Sequence, residues 1–260
     1  IIAFFFSIEK NRKIIEQNIP ISFTGKLKLN SDLKIVFILF YTSIIYHVAK
    51  IMKAKNLGIP RYITFSGTGS KIINITDSTD KLDTLTKLTQ IIFKEIFQES
   101  ELKNLELKQD PFPKEISCKG ALKIQANQIV SVEKIKTVLL GTVEDLLIQN
   151  TSKTYKELNH DIENSIVQEY ENFIDFIFNI NKELSFKNYF GINPSHLETY
   201  RTFLKENALD DLKSGIEEKK KELEGDLDID LEETLFFYPL IGGLNNLAYK
   251  IHSELNTSQL

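Results

Sequence analysis

One stretch predicts a strand that runs into a loop of small residues: PRYITFSGTGSK, residues 60–71. Its apolar first half predicts a buried strand over 61–66. The glycines that follow permit positive φ and let a ligand approach the backbone, and the hydroxyl residues stand beside them. In an open α/β sheet, ligands bind at the carboxyl ends of strands, where loop amides hold phosphate. The predicted nucleotide contacts are therefore Ser66, Gly67, Thr68, Gly69, Ser70 and Lys71. A tight turn without any ligand is the alternative that these residues leave open.

Helical patterns lie on both sides of this stretch. A helix is predicted over about residues 31–55, and because it is apolar nearly all round it should be sandwiched between other elements. An amphipathic helix is predicted over about 80–98, followed by a strand over 102–108. The order helix, strand, glycine loop, helix, strand predicts an α/β unit with the loop at a strand's carboxyl end.

The same order resembles the last part of the second lobe in the actin and heat-shock-chaperone ATPase superfamily. There a strand ends in Gly-Gly-Ser or Gly-Thr-Gly, and the fold closes on a motif like Pro-x-Glu-x-x-x-x-Gly-Ala. The corresponding parts here are residues 63–70 and PKEISCKGA at 113–121, within a resemblance that covers about 31–123. The family's Arg-x-Pro after the loop is absent, and Lys71-Ile72-Ile73 stands in its place.

This resemblance implies an α/β fold, an actin-like ATPase lobe fragment, followed by a mainly α-helical domain. The expected divisions are the tail of an upstream element over 1–30, the nucleotide-binding lobe fragment over 31–125 and a helical C-terminal domain over 126–260.

The resemblance also implies a function. The chain would be the C-terminal fragment of a large ATP-binding protein and would supply the nucleoside side of the cleft for ATP or ADP with Mg. The full-length protein would be a candidate ATPase, whereas the fragment alone would not hydrolyse ATP, because the other phosphate and metal clamps would lie upstream of Ile1. A protein partner would bind through residues 126–260.

Two other function classes stay open. The first is a non-catalytic scaffold or protein-interaction module on a degenerate actin-like fold, which the missing Arg-x-Pro favours. The second is a membrane-associated assembly protein whose Ile35–Met52 helix inserts. That segment carries Tyr41, Lys50 and other polar residues, so a buried helix is the preferred interpretation.

The amino-acid composition further narrows the classes of protein and of binding site that are expected. With 42% hydrophobic residues over 260 positions the chain can build a sizeable core, and a net charge of −4 disfavours binding to nucleic acid. The single cysteine, Cys118, fits a reducing compartment such as the cytoplasm. The acidic residues of 226–233 lack the spacing of a calcium loop, and no metal site is expected there. Zinc is not expected either, because the histidines are scattered: His47, His160, His196 and His252.

The second half of the chain, from about residue 132, is predicted to be largely helical. Tyr170, Phe173 and Ile177 fall at helical spacing and should share a buried face. Residues 186–194 are predicted as a loop, and 195–223 as a helix or helix pair. The apolar segment 232–244 is interpreted as core or docking sequence that closes with a helix to about Leu255.

Overall fold

The computed structural model describes residues 31–65, 73–77, 82–100, 102, 104–109, 154–229, 231 and 235–257. Short 3₁₀ turns occupy Ser31–Leu33 and Tyr155–Glu157. The strands are β1 (Tyr62–Phe65) and β2 (Glu106–Gln109). The α-helices are α1 (Lys34–Ala54), α2 (Ile73–Thr76), α3 (Asp83–Phe97), α4 (His160–Ile180), α5 (Phe186–Phe190), α6 (Pro194–Glu206), α7 (Ala208–Glu222) and α8 (Phe237–Thr257).

The predicted fold class, an α/β actin-like lobe fragment, is wrong. Most of the described residues are helical, and the strands among them form a single two-stranded parallel sheet. The predicted order strand, helix, strand is present in β1, α3 and β2, but an α/β lobe needs more strands than these two. In the described part of the chain α1 is buried mainly by other helices, among them α3, α4 and α8.

Helix α1 lies at the centre of the main hydrophobic core. Its buried side chains include those of the consecutive residues Ile35, Val36, Phe37 and Ile38, which point to different sides of the helix. A helix that is apolar nearly all round has to be covered on several sides, as predicted for this segment. The core joins α1 to residues of α3, β2, α4, α6 and α8 in one cluster.

Glycines let α8 pack closely on its neighbours. A Cβ built on Gly215 of α7 would come within 2.5 Å of the Tyr238 ring of α8. A Cβ on Gly243 of α8 would come within 2.6 Å of the Tyr170 hydroxyl of α4. Since real Cβ atoms do not approach that closely, these positions require glycine at the observed helix spacing.

A second apolar cluster lies under α7. Its buried members come from α4, α7 and the segments beside them: Tyr155, Ile166, Leu212, Ile216, Leu231 and Leu235. Backbone hydrogen bonds tie the segment before α4 to the segment after α7, from Tyr155 N–H to Ile229 O at 3.3 Å and from Lys156 N–H to Leu227 O at 3.0 Å.

Several helix boundaries follow from capping residues. Asn159 accepts from the Ile162 N–H at the start of α4, and Asn193 accepts from the Ser195 N–H at the start of α6, with Pro194 in its first turn. At the end of α5, Gly191 adopts φ 75° and stops the helix.

The predicted α1, β1, α3, α6–α7 pair and α8 are confirmed within about three residues, whereas β2 begins four residues later than predicted, at Glu106. The predicted burial of β1 is wrong, because Ile63 and Phe65 are only half-buried against the core and Tyr62 and Thr64 on the other face are exposed. Tyr170, Phe173 and Ile177 are fully buried, as predicted. The predicted loop over 186–194 is wrong, because Ser185 caps a short helix there. The division at 125/126 stays a prediction, since residues 110–153 lie outside the described part.

Helix α1 is long and apolar enough to cross a membrane by length and composition alone. However, 67% of the most apolar 18-residue stretch of this helix is buried inside the protein. This burial is typical of a core helix, which is the preferred interpretation of the sequence.

Candidate functional site

The predicted site begins at the sheet. β1 pairs with β2 in parallel, with Tyr62 opposite Glu106 and Phe65 opposite Gln109. Parallel strands need a crossover connection, and here it contains α3. The Gln90 side-chain amide of α3 donates to Leu105 O at 2.8 Å, which ties the crossover helix to the start of β2. The carboxyl end of β1 is therefore held in a βαβ arrangement.

The six predicted contact residues, Ser66 to Lys71, lie outside the described residues. They follow Phe65, the last residue of β1, directly in the chain. The Phe65 ring packs against the Tyr41 ring of α1, with centroids 5.8 Å apart. The end of the strand is thus anchored to the core, and the nucleotide contact itself stays a prediction.

Asp77 already occupies the amino end of α3. One of its carboxylate oxygens accepts from the Thr84 N–H at 2.8 Å and from the Leu85 N–H at 3.0 Å. The side chain is buried, and it satisfies amides that would otherwise attract an external anion. A phosphate on this side of the sheet would therefore have to be held by loop amides rather than by the first turn of α3.

A cleft of about 420 Å³ lies between α3 and the connection from α4 to α5. It is lined by Lys87, Gln90, Ile91, Lys94, Ser100, Leu102, Glu183, Leu184 and Tyr189. Lys94 pairs with Glu183 at 3.3 Å, and Lys87 lies 3.4 Å from the Tyr189 hydroxyl. Both lysines are thus engaged across the cleft. Sequence reasoning missed this cleft because its two walls are about ninety residues apart in the chain.

Asp32 gathers donors at the amino end of α1. Its carboxylate accepts from the Asn193 N–H at 3.0 Å, from the Tyr200 hydroxyl at 3.1 Å and lies 2.7 Å from His196 Nδ1. These contacts fix the imidazole tautomer and tie α1 to α6. No role was predicted for His196, because its partner Asp32 lies 164 positions away in the chain.

Tyr46 and His47 are buried polar residues in the second half of α1. Glu169 of α4 accepts from the Tyr46 hydroxyl at 2.9 Å and pairs with the Lys50 ammonium. Burial of Tyr46, and to a lesser extent the negative charge of Glu169, raise the pKa of the Tyr46 hydroxyl far above the usual range for a phenol. His47 is also buried and packs against Phe236 and Phe237.

No group of three or more histidine, cysteine, aspartate or glutamate side chains among the described residues is placed to hold a metal ion. Comparison with known proteins assigns the chain to no family, since no family model, no curated protein and no solved structure matches it.

Proposed function

We propose that the chain binds ATP or ADP, with Mg, through the loop Ser66 to Lys71. The observation that carries the proposal is the βαβ arrangement of β1, α3 and β2. Ser66, the first residue of the proposed loop, follows directly after the last residue of β1. Backbone amides at that edge of a parallel sheet are suited to phosphate.

The loop composition supports the same ligand. Gly67 and Gly69 allow close approach of the phosphate, and Lys71 adds a positive charge. Since Asp77 satisfies the first amides of α3, the loop itself supplies the donors. The proposal concerns this loop alone and needs no two-lobed fold. The resemblance to the actin and heat-shock-chaperone superfamily, ATP hydrolysis and a cytoplasmic location stay predictions.

Calorimetric titration of Mg·ATP into the wild type and Gly69→Val tests this function. The variant should bind at least tenfold more weakly, because a β-branched side chain resists positive φ and fills the ligand's space. Gly58→Val is the matched control, since a Cβ at Gly58 meets nothing within 4 Å. Equal affinity of Gly69→Val and wild type, or no binding by the wild type, would contradict the proposal.

A second candidate function is a protein-interaction module, for which the surface of α1 and α8 gives a specific observation. Ile44 and Val48 of α1 are each 37% exposed, and Ile241 of α8 is 51% exposed. Ile241 lies one turn after Phe237, whose ring is 5.0 Å from that of His47 on α1. Apolar side chains on adjacent helices suit a partner helix with an apolar face.

Photo-crosslinking tests this second function. A benzophenone amino acid at Ile241 should give a discrete cross-linked product in the source cells, and the same residue at Glu217 on the charged face of α7 should not. Peptides in the product should contain an amphipathic helical sequence. Identical products from both positions would contradict a binding surface on α8.

A further inference from the structure

His47 is a buried histidine in which one ring nitrogen makes no hydrogen bond among the described residues. Only 5% of the residue is exposed, and Nδ1 lies 2.8 Å from Ser43 O on the preceding turn of α1. A carbonyl oxygen only accepts, so Nδ1 donates its proton and Nε2 carries the free lone pair. Nε2 is buried and has no hydrogen-bond partner among the described residues.

Aromatic rings at the start of α8 enclose this imidazole. The Phe236 and Phe237 rings lie 4.3 Å and 5.0 Å from it, centroid to centroid, and Tyr46 lies 5.8 Å away on α1. Phe236 is fully buried and also packs on Phe173 of α4. The imidazole therefore forms part of the contact between α1 and the beginning of α8.

The charged groups around this contact do not favour a second proton on the ring. Lys50 lies on the same helix, and its charge is matched by Glu169 of α4, which also binds the Tyr46 hydroxyl. The first turn of α8 contains no acidic residue, and Asp211 of α7 lies against Gly242 instead. Burial lowers the pKa of His47 to about 4; the hydrogen bond to Ser43 opposes that shift and the Lys50 charge adds to it.

Protonated Nε2 would present an N–H to aromatic rings in place of an acceptor. Cation–π attraction to the ring faces offsets part of the free energy needed to bury the charge. A buried charge without a hydrogen bond is nevertheless unfavourable. Water reaches Nε2 if the Phe236–Phe237 turn moves away. Gly242 and Gly243 follow within two turns, and glycines weaken a helix at that point. Leu244, Leu247 and Ile251 beyond them stay buried in the core.

We infer that protonation of His47 releases the first turn of α8 from α1, with Gly242 and Gly243 as the pivot. The fold thus contains an acid-sensitive contact between the middle of α1 and the start of α8. The inference is independent of the nucleotide proposal, because none of its residues belongs to the 66–71 loop.

Amide hydrogen exchange of the 260-residue protein tests the inference. The amides of Ile241 to Leu244 donate to carbonyls of the first turn of α8 and so report its opening. After correction for intrinsic rates, their opening constant should rise roughly tenfold between pH 7.5 and 5.5. This value follows from a closed-state pKa of about 4 and the ordinary open-state value of 6.5. Amides in the middle of α4, which open with global unfolding, should stay more protected than Ile241 to Leu244 at each pH.

Two substitutions decide the outcome. His47→Gln and His47→Phe, each checked for native helix content, should both lose the pH response, whereas His160→Gln should keep it because that side chain is 69% exposed. A response that persists in a folded His47 variant would overturn the inference. So would equal protection of α4 and of Ile241 to Leu244 at pH 5.5, or no response in the wild type.

Discussion

Gly243 shows how a single residue sets a helix distance. Gly243→Ala places a methyl group within 2.6 Å of the Tyr170 hydroxyl, which donates to Leu204 O at 2.9 Å. We expect a loss of about 1–3 kcal/mol in the free energy of unfolding, the usual cost of overpacking. Urea denaturation measures it, and Gly58→Ala, in open space, is the control. A stabilised Gly243→Ala would show that the helices adjust freely.

Glu169 is a second residue whose substitution should change the free energy of unfolding by a measurable amount. Glu169→Leu leaves the Lys50 ammonium, whose side chain is only 16% exposed, without its partner. Breaking a buried ion pair typically costs about 3–5 kcal/mol. The double variant Lys50→Met/Glu169→Leu should recover most of that stability, since no charge is left unpaired. Additive losses in the double-mutant cycle would exclude coupling between the two side chains.

At the scale of an element, α3 depends on Asp77 for its start. Asp77→Ala removes the acceptor for two amides of the first turn, and we expect a cost of about 0.5–2 kcal/mol, as for other helix caps. Asp77→Asn keeps an acceptor oxygen and should retain most of the stability. Exchange of the Thr84 and Leu85 amides measures the local effect, and unchanged protection in Asp77→Ala would contradict the capping role.

The boundaries of the long elements could be predicted because each carries its own signal. The apolar side chains of α3, among them Leu85, Leu88 and Ile92, recur three or four residues apart. The short helix α5 was missed, since five residues give too little periodicity to distinguish a helix from a loop. Of the candidate site, β1 and β2 were predicted, but the Asp77 cap and the cleft beside α3 were not.

At the scale of the whole molecule, His47 makes stability depend on pH. Its pKa is about 4 in the folded protein and ordinarily 6.5, so the unfolded chain binds more protons between these values. Folding stability is therefore unaffected above pH 6.5 and falls as the pH drops toward 4, by about 3 kcal/mol in total. His47→Gln should flatten this part of the profile in thermal or urea unfolding. A parallel profile in the variant would assign the loss to other groups.

One opposing group has to be included in that profile. Burial, and to a lesser extent Asp210, raise the pKa of Asp211 above its usual value. A carboxyl with a raised pKa gains stability on protonation, so Asp211 works against the His47 effect as the pH falls. Since Asp211 is present in both proteins, the difference between wild type and His47→Gln isolates the histidine.

The sequence by itself determined where the long helices and the β1 strand form and which helix faces are buried, because periodicity, caps and glycine breaks are local signals. Tyr170, Phe173 and Ile177 were assigned to the core in this way. The tertiary structure alone decided the fold class and the partners. A buried face does not specify what covers it, and Glu169 meets Lys50 across 119 positions. The number of strands that assemble into a sheet is likewise a property of long-range contacts, which is why a correctly predicted strand–helix–strand unit led to the wrong fold class.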